Sequence, residues 1–115
     1  MFDYFIGVIK SKNPASAVLE VNGIAFRFLI PVTTYEKLPA SGETKIFADL
    51  AVQGGMQSPE IRLYGFATAE ERQMFQLLLT GNRGGPSMAL RIISGGSPHQ
   101  ISQAILSDNI RFLSR

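Results

Sequence analysis

The chain contains no cysteine, which excludes disulfides, thiolate chemistry and cysteine-based zinc sites and suits a reducing, cytoplasmic compartment. It has one histidine, His99, so no two-histidine metal site can be assembled. His99 falls at the second position of an expected helix, which suits an exposed helix-start residue better than the base of a Ser-His-Asp relay. No apolar run approaches the ~20 residues of a membrane span, and Asp3 interrupts any basic signal-peptide start. The chain is therefore expected to be soluble, without a visible export signal or a membrane partner. Internal repeats and low-complexity stretches are also missing. No metal or cofactor is expected.

Excess charge is small as well. Eleven Lys and Arg against nine Asp and Glu leave a net charge of +2, which permits a nucleic-acid partner without requiring one. Acids are missing altogether between Glu71 and Asp108, a stretch that carries Arg72, Arg83 and Arg91. Residues 72–107 are thus the first place to look for phosphate contact. What the chain does have is 115 residues, 45% of them apolar. That is enough for one small domain, or two very small ones sharing a core, burying roughly two thirds of the unfolded surface.

The first 66 residues alternate with the period of strands. Phe2–Ser11 supplies the first strand. Ala17, Leu19 and Val21 share one face of the second, and Ile24, Phe26, Phe28 and Ile30 one face of the third. Asn22-Gly23 between them is the pair best suited to a type I′ hairpin turn. Thr33–Leu38 leaves room for about one helical turn or an irregular connection. Thr44–Val52, with Ile46, Ala48, Leu50 and Val52 together, gives a fourth strand and Glu60–Phe66 a fifth. Five short antiparallel strands with a longer third connection suit a small closed barrel of the OB-fold type, since a sandwich would want more strands.

At Phe66 the period changes to that of helices. Thr68 and Glu71 form a capping box, followed by the stripe Met74, Phe75, Leu78 and Leu79, with Glu70 and Glu71 complementing the helix dipole. Gly81–Gly85 breaks this helix. Pro86 suits the first turn of the next one, whose stripe is Met88, Ala89, Ile92 and Ile93, stopped at Gly95-Gly96. Ser97-Pro98-His99-Gln100 reads as a second capping box, and Asp108 as the cap of a final run with Ile110 and Leu113. The expected organisation is α+β: a five-stranded OB-fold barrel over residues 1–66 and a small helical domain over 67–115.

Two segments could carry function. The turn Asn82-Arg83-Gly84-Gly85-Pro86-Ser87 joins two helices, so the free N–H groups and positive dipole end of the second helix face whatever lies above it. A DNA phosphate fits there, because glycine allows close backbone approach and Arg83 adds a hydrogen-bonding cation. A plain helix connection with a solvated Arg83 fits the same composition. Gln53-Gly54-Gly55-Met56-Gln57-Ser58-Pro59-Glu60 is too long for a minimal hairpin and reads as a surface loop that could also probe a ligand. Single-strand binding through barrel aromatics is disfavoured, because Phe26 and Phe28 share the core alternation.

The chain resembles the amino-terminal part of RuvA, the bacterial Holliday-junction branch-migration protein family. The matching stretches are Val18–Phe26, Pro31–Tyr35 with Leu38-Pro39, Leu63–Thr68, Glu70–Arg72, and Gly85–Leu90 leading to Ile92-Ile93-Ser94. Each is weak alone, but their joint order is specific. The resemblance implies an OB-fold followed by helix-hairpin-helix units and a homotetramer gripping four-way junction DNA through phosphates. It also implies a partnership with the RuvB ATPase motor, with no enzyme activity in this subunit by itself.

On that basis Asn82, Arg83, Gly84, Gly85 and Ser87 are the expected DNA contacts. The family's first hairpin usually reads Gly-hydrophobic-Gly-Pro-Lys. Here Arg83, Gly84, Gly85, Pro86 and Ser87 stand in those places, changing one glycine, the apolar plug and the lysine. The family's loop between strands four and five carries adjacent acids thought to act as a pin at the junction centre. Gly54, Gly55 and Glu60 are the counterpart here, with one acid, so the expected pin is weak. The chain ends at Ser114-Arg115, where a second hairpin would begin, and the motor-docking domain is expected to be absent. The other reading open at this point is a truncated or divergent RuvA-like scaffold that self-associates through its barrel with little DNA affinity.

Overall fold

Asn22 and Gly23 adopt φ of 50° and 85°, the left-handed pair that a two-residue type I′ turn requires. This turn sets the register of the hairpin made by β2 (Ser16–Val21) and β3 (Ile24–Leu29), with Val21 opposite Ile24 and Leu19 opposite Phe26. The structure, a computed structural model, describes residues 2–53, 57–81 and 85–95. The second capping box at Ser97–Gln100, His99 and the run after Asp108 lie outside the described residues.

Before the hairpin comes β1 (Tyr4–Asn13), joined to β2 by a tight turn in which Asn13 Oδ1 accepts hydrogen bonds from the N–H groups of Ala15 and Ser16, at 2.8 and 2.9 Å. After it come α1 (Val32–Lys37), β4 (Gly42–Gln53), β5 (Glu60–Phe66), α2 (Ala69–Gly81) and α3 (Gly85–Ser94). The strands close into a barrel in the order β1-β2-β3-β5-β4, with β4 returning to β1. All pairs are antiparallel except β3 with β5, which run parallel and meet at Leu29 and Tyr64. The five-stranded barrel followed by helices is the fold that the alternation predicts.

Ile9, Ala17, Leu19, Phe28, Ile30, Ile46 and Ala48 fill the barrel, and Leu38 plugs it from the connection after α1. Ile24 and Val52 share the inner alternation yet are 59% and 67% exposed. They sit at strand ends, beside the β2–β3 turn and near the tip of the β4–β5 hairpin, beyond the packed interior. Gly65 has a steric reason: a Cβ there would lie 2.7 Å from Ile46 Cγ2 and 2.9 Å from Phe28 Cβ.

A second core forms outside the barrel. Tyr64 and Phe66 of β5 point away from the interior and pack with Phe75 and Leu78 of α2 and Ala89 and Ile93 of α3. The Phe75 ring lies 4.9 Å from that of Tyr64 and 5.0 Å from that of Phe66. The last strand of the barrel is thus also the floor of the helical layer.

Polar contacts lock that layer in place. The Glu71 N–H donates to Thr68 Oγ1 at 3.1 Å, the expected N-terminal cap of α2. The Glu71 carboxylate does more than complement the dipole. Its Oε2 accepts from the hydroxyls of Thr33 and Thr34 at 2.7 and 2.9 Å. Its Oε1 accepts from Thr68 Oγ1 at 3.1 Å and from Lys37 Nζ at 3.2 Å. All four acceptor positions of the carboxylate are used, and the residue is 3% exposed. Thr34 Oγ1 also accepts from the Ala67 N–H at 3.1 Å. The cluster therefore joins α1, the β5–α2 link and the first turn of α2.

Candidate nucleic-acid interface

Gly85 opens α3 with φ of 72°, a left-handed conformation that glycine adopts without steric penalty. Pro86 follows within the first turn, where a missing N–H removes no helical bond, and Ser87 is exposed. Ala89 and Ile93 anchor the opposite face of α3 in the second core. The helix is thereby anchored along one face, with the side of Ser87 turned to solvent. The first-turn N–H groups of such a helix form a positive seat for an oxyanion. Of the expected contacts, Gly85 and Ser87 sit at this helix start, while Asn82, Arg83 and Gly84 lie outside the described residues.

The fate of the other cations separates scaffold from surface. Arg72, at the head of the acid-free stretch, is committed internally. Its Nη1 donates to the Asp3 carbonyl at 2.6 Å and pairs with Asp3 Oδ1 at 2.8 Å, and the guanidinium lies 5.5 Å from the centre of the Phe47 ring. It ties α2 to the start of the chain rather than facing a ligand. Lys12 Nζ donates to the carbonyls of Tyr35 and Leu38 at 2.9 and 2.7 Å, satisfying the C-terminal end of α1. Lys37 belongs to the Glu71 cluster. Arg91 is exposed on α3.

On the β4–β5 hairpin, Gly54 and Gly55 of the expected pin lie outside the described residues. Glu60, opposite Gln53 at the strand ends, is exposed. Its Oε2 lies 3.1 Å from Arg62 Nη2, and this bond raises the guanidinium pKa above its ordinary value. A carboxylate so paired repels phosphate less than a free one. Next along β5, the Tyr64 hydroxyl is buried without a hydrogen-bond partner among the described residues, and burial pushes its pKa up.

Two features escaped the sequence. Arg27 and Arg62 come to one groove through the parallel meeting of β3 and β5, which no turn motif announces. The role of Glu71 as a hub was hidden because its capping function already explained it locally. Among the described residues no cluster of three metal-ligating side chains occurs, and no helix there is long and apolar enough to cross a membrane.

Residues 1–65 match the RuvA N-terminal domain family. The chain is similar to the Holliday junction branch migration complex subunit RuvA of Chlorobium phaeovibrioides, 43% identical over 109 residues, covering 94% of this chain and 52% of that protein. The subunit of the same name from Prosthecochloris aestuarii is 40% identical over the same shares of both chains. That from Pelobacter propionicus is 38% identical over 114 residues, covering 99% of this chain and 56% of its own. The chain spans about half the length of the curated relatives it matches. With the closed barrel and its β5-seated helices on one side and a match over more than half of the residues on the other, the chain belongs to the RuvA N-terminal domain family.

Proposed function

We propose that the chain binds four-way junction DNA, without reading base sequence, as the barrel-and-helix part of a RuvA-type subunit in recombination and repair. The observation that carries this reading is the reach of the likeness. The similarity to the junction subunits covers 94% of the chain, so it runs through the residues between α2 and α3 and on to Gly85 and Ser87, which open a helix toward solvent. Phosphate contact at Gly84, Gly85 and Ser87, with Arg83 and Asn82 beside them, positions DNA by its backbone. The division at residue 66 belongs to the same proposal: the barrel supports and the helical unit over 67–115 grips. The weak pin of Gly54, Gly55 and Glu60 then contributes little to strand separation. ATP hydrolysis belongs to a RuvB-type motor, and this subunit performs no catalysis itself. The same reading places the chain in the cytoplasm.

Association into a homotetramer is part of this reading. Phe2, Tyr4, Ile6 and Val8 stand at alternate positions along the outer face of the first strand and its approach, each between 40% and 49% exposed. An apolar stripe of this kind on a barrel exterior suits burial against another copy. The same stripe would serve a self-associating scaffold with little DNA affinity, and DNA binding separates the two. A labelled four-way junction is expected to bind in preference to linear duplex of equal length, with affinity falling steeply as salt rises. Arg83→Glu should weaken junction binding while sedimentation shows the oligomer unaltered. Equal binding to both DNAs, or none at low salt, contradicts the proposal, and an unaffected Arg83→Glu variant favours the scaffold.

A further inference from the structure

β3 and β5 share a single paired position, Leu29 with Tyr64. Two residues earlier on each strand, Arg27 and Arg62 share by alternation the outward face of Leu29 and Tyr64. Where the two strands part, a groove of about 460 Å³ opens, lined by Arg27, Leu29, Glu60, Ile61, Arg62 and Leu63. It borders the helical layer directly, because Ala51, the strand partner of Arg62, packs against the second core. Arg27 is exposed and has no carboxylate within ion-pair distance among the described residues. Arg62 is held by Glu60 at 3.1 Å across a largely exposed pair, a bond weak enough in water to be exchanged. Two arginines lining a groove that also presents Leu29, Leu63 and Ile61 match a chain that alternates anionic phosphate with the apolar face of a sugar.

The geometry points to this groove as a second seat for a DNA phosphodiester strand, in which Arg27 and Arg62 bracket the backbone and Glu60 is an internal stand-in that an incoming phosphate displaces. The seat rests on the DNA-binding reading above and extends it from the start of α3 onto the barrel. It also gives Glu60 a role other than a pin: its carboxylate competes with DNA for Arg62.

The test is a salt series of fluorescence anisotropy with a labelled four-way junction and a linear duplex, using the 115-residue chain and its Arg27→Ala, Arg62→Ala, Glu60→Gln and Lys10→Ala variants. Circular dichroism checks that each variant is folded. Each arginine variant should bind more weakly at low salt and lower the slope of log affinity against log salt by about 1. Glu60→Gln should bind more tightly. Lys10→Ala, on β1 across the barrel, should leave the slope unchanged. Wild-type slopes in both arginine variants overturn the seat, as does an equal loss with Lys10→Ala, which would mark a generic charge effect. If the chain binds junction and duplex alike but the arginine variants still flatten both slopes, the junction proposal fails and the seat stands. No binding by the wild type at low salt overturns both.

Discussion

The barrel interior and the seam between β5 and the helices are both dry and rich in aromatic or branched side chains, yet they are built differently. The interior draws on four strands, whose inward residues come at every second position and meet around Phe28. The seam takes its fully buried floor from one strand, with Leu29, Phe47 and Ala51 at its edges, two helix stripes as its cover, and polar fasteners at its rim through Glu71 and Arg72. The barrel closes on itself and needs the helices little, whereas the helices have no core without Tyr64 and Phe66. Dependence therefore runs one way, from helical layer to barrel.

The largest effects should expose that asymmetry. Phe28→Ala and Phe75→Ala each remove a fully buried ring, costing about 3–5 kcal/mol. By amide exchange, Phe28→Ala should loosen strands and helices together, while Phe75→Ala should release α2 and α3 and leave the strands protected. Loss of strand protection in Phe75→Ala would erase the distinction. Next comes Glu71→Ala, which leaves the buried Thr34 hydroxyl without its acceptor and should cost about 1.5–3 kcal/mol in urea unfolding. Rescue by Glu71→Gln should be partial, since the amide keeps one acceptor oxygen but loses the charge that faces Lys37. Gly65→Ala forces a methyl against Phe28 and Ile46 and should cost about 1–3 kcal/mol. That loss should fall on the strands, and a wild-type melting temperature would contradict the close approach.

The smallest effect is expected at Tyr64. Its hydroxyl is buried without a partner of hydrogen-bond geometry among the described residues, and the nearby Arg62 guanidinium only partly offsets that burial, so Tyr64→Phe should keep wild-type stability to within about 1 kcal/mol. Burial raises the phenol pKa in the folded chain, so the folded state holds its proton where the unfolded state releases it. Wild-type stability should be unaffected by this group below about pH 10, the ordinary tyrosine value, and decline above it. Tyr64→Phe should lose less stability than wild type there, and identical alkaline profiles would contradict the burial.

The difference between the two regions also explains what was legible in the sequence. Strand alternation and the Asn22-Gly23 turn are local signals, and they located all five strands and the hairpin register. The helix stripes of α2 and α3 were equally plain, as was the Thr68 cap. The closure of β3 onto β5 was not readable in detail, because a parallel pair joined across an intervening helix and strand leaves no turn motif at its meeting point. The groove between Arg27 and Arg62 went unseen for that reason. Glu71 takes three of its partners from α1, more than thirty residues away, and Arg72 takes its partner from the chain start. Charge counting alone therefore placed Arg72 among the phosphate candidates, although packing commits it to the scaffold.

The central claim is that backbone amides at the start of α3 hold DNA phosphate, and nitrogen-edited NMR of the labelled chain with a four-way junction tests it most directly. At low salt the amide signals of Gly84, Gly85 and Ser87, with the Arg83 side chain, should shift on addition of the junction and return as salt is raised. Those amides staying unmoved while the junction is demonstrably bound would contradict the account.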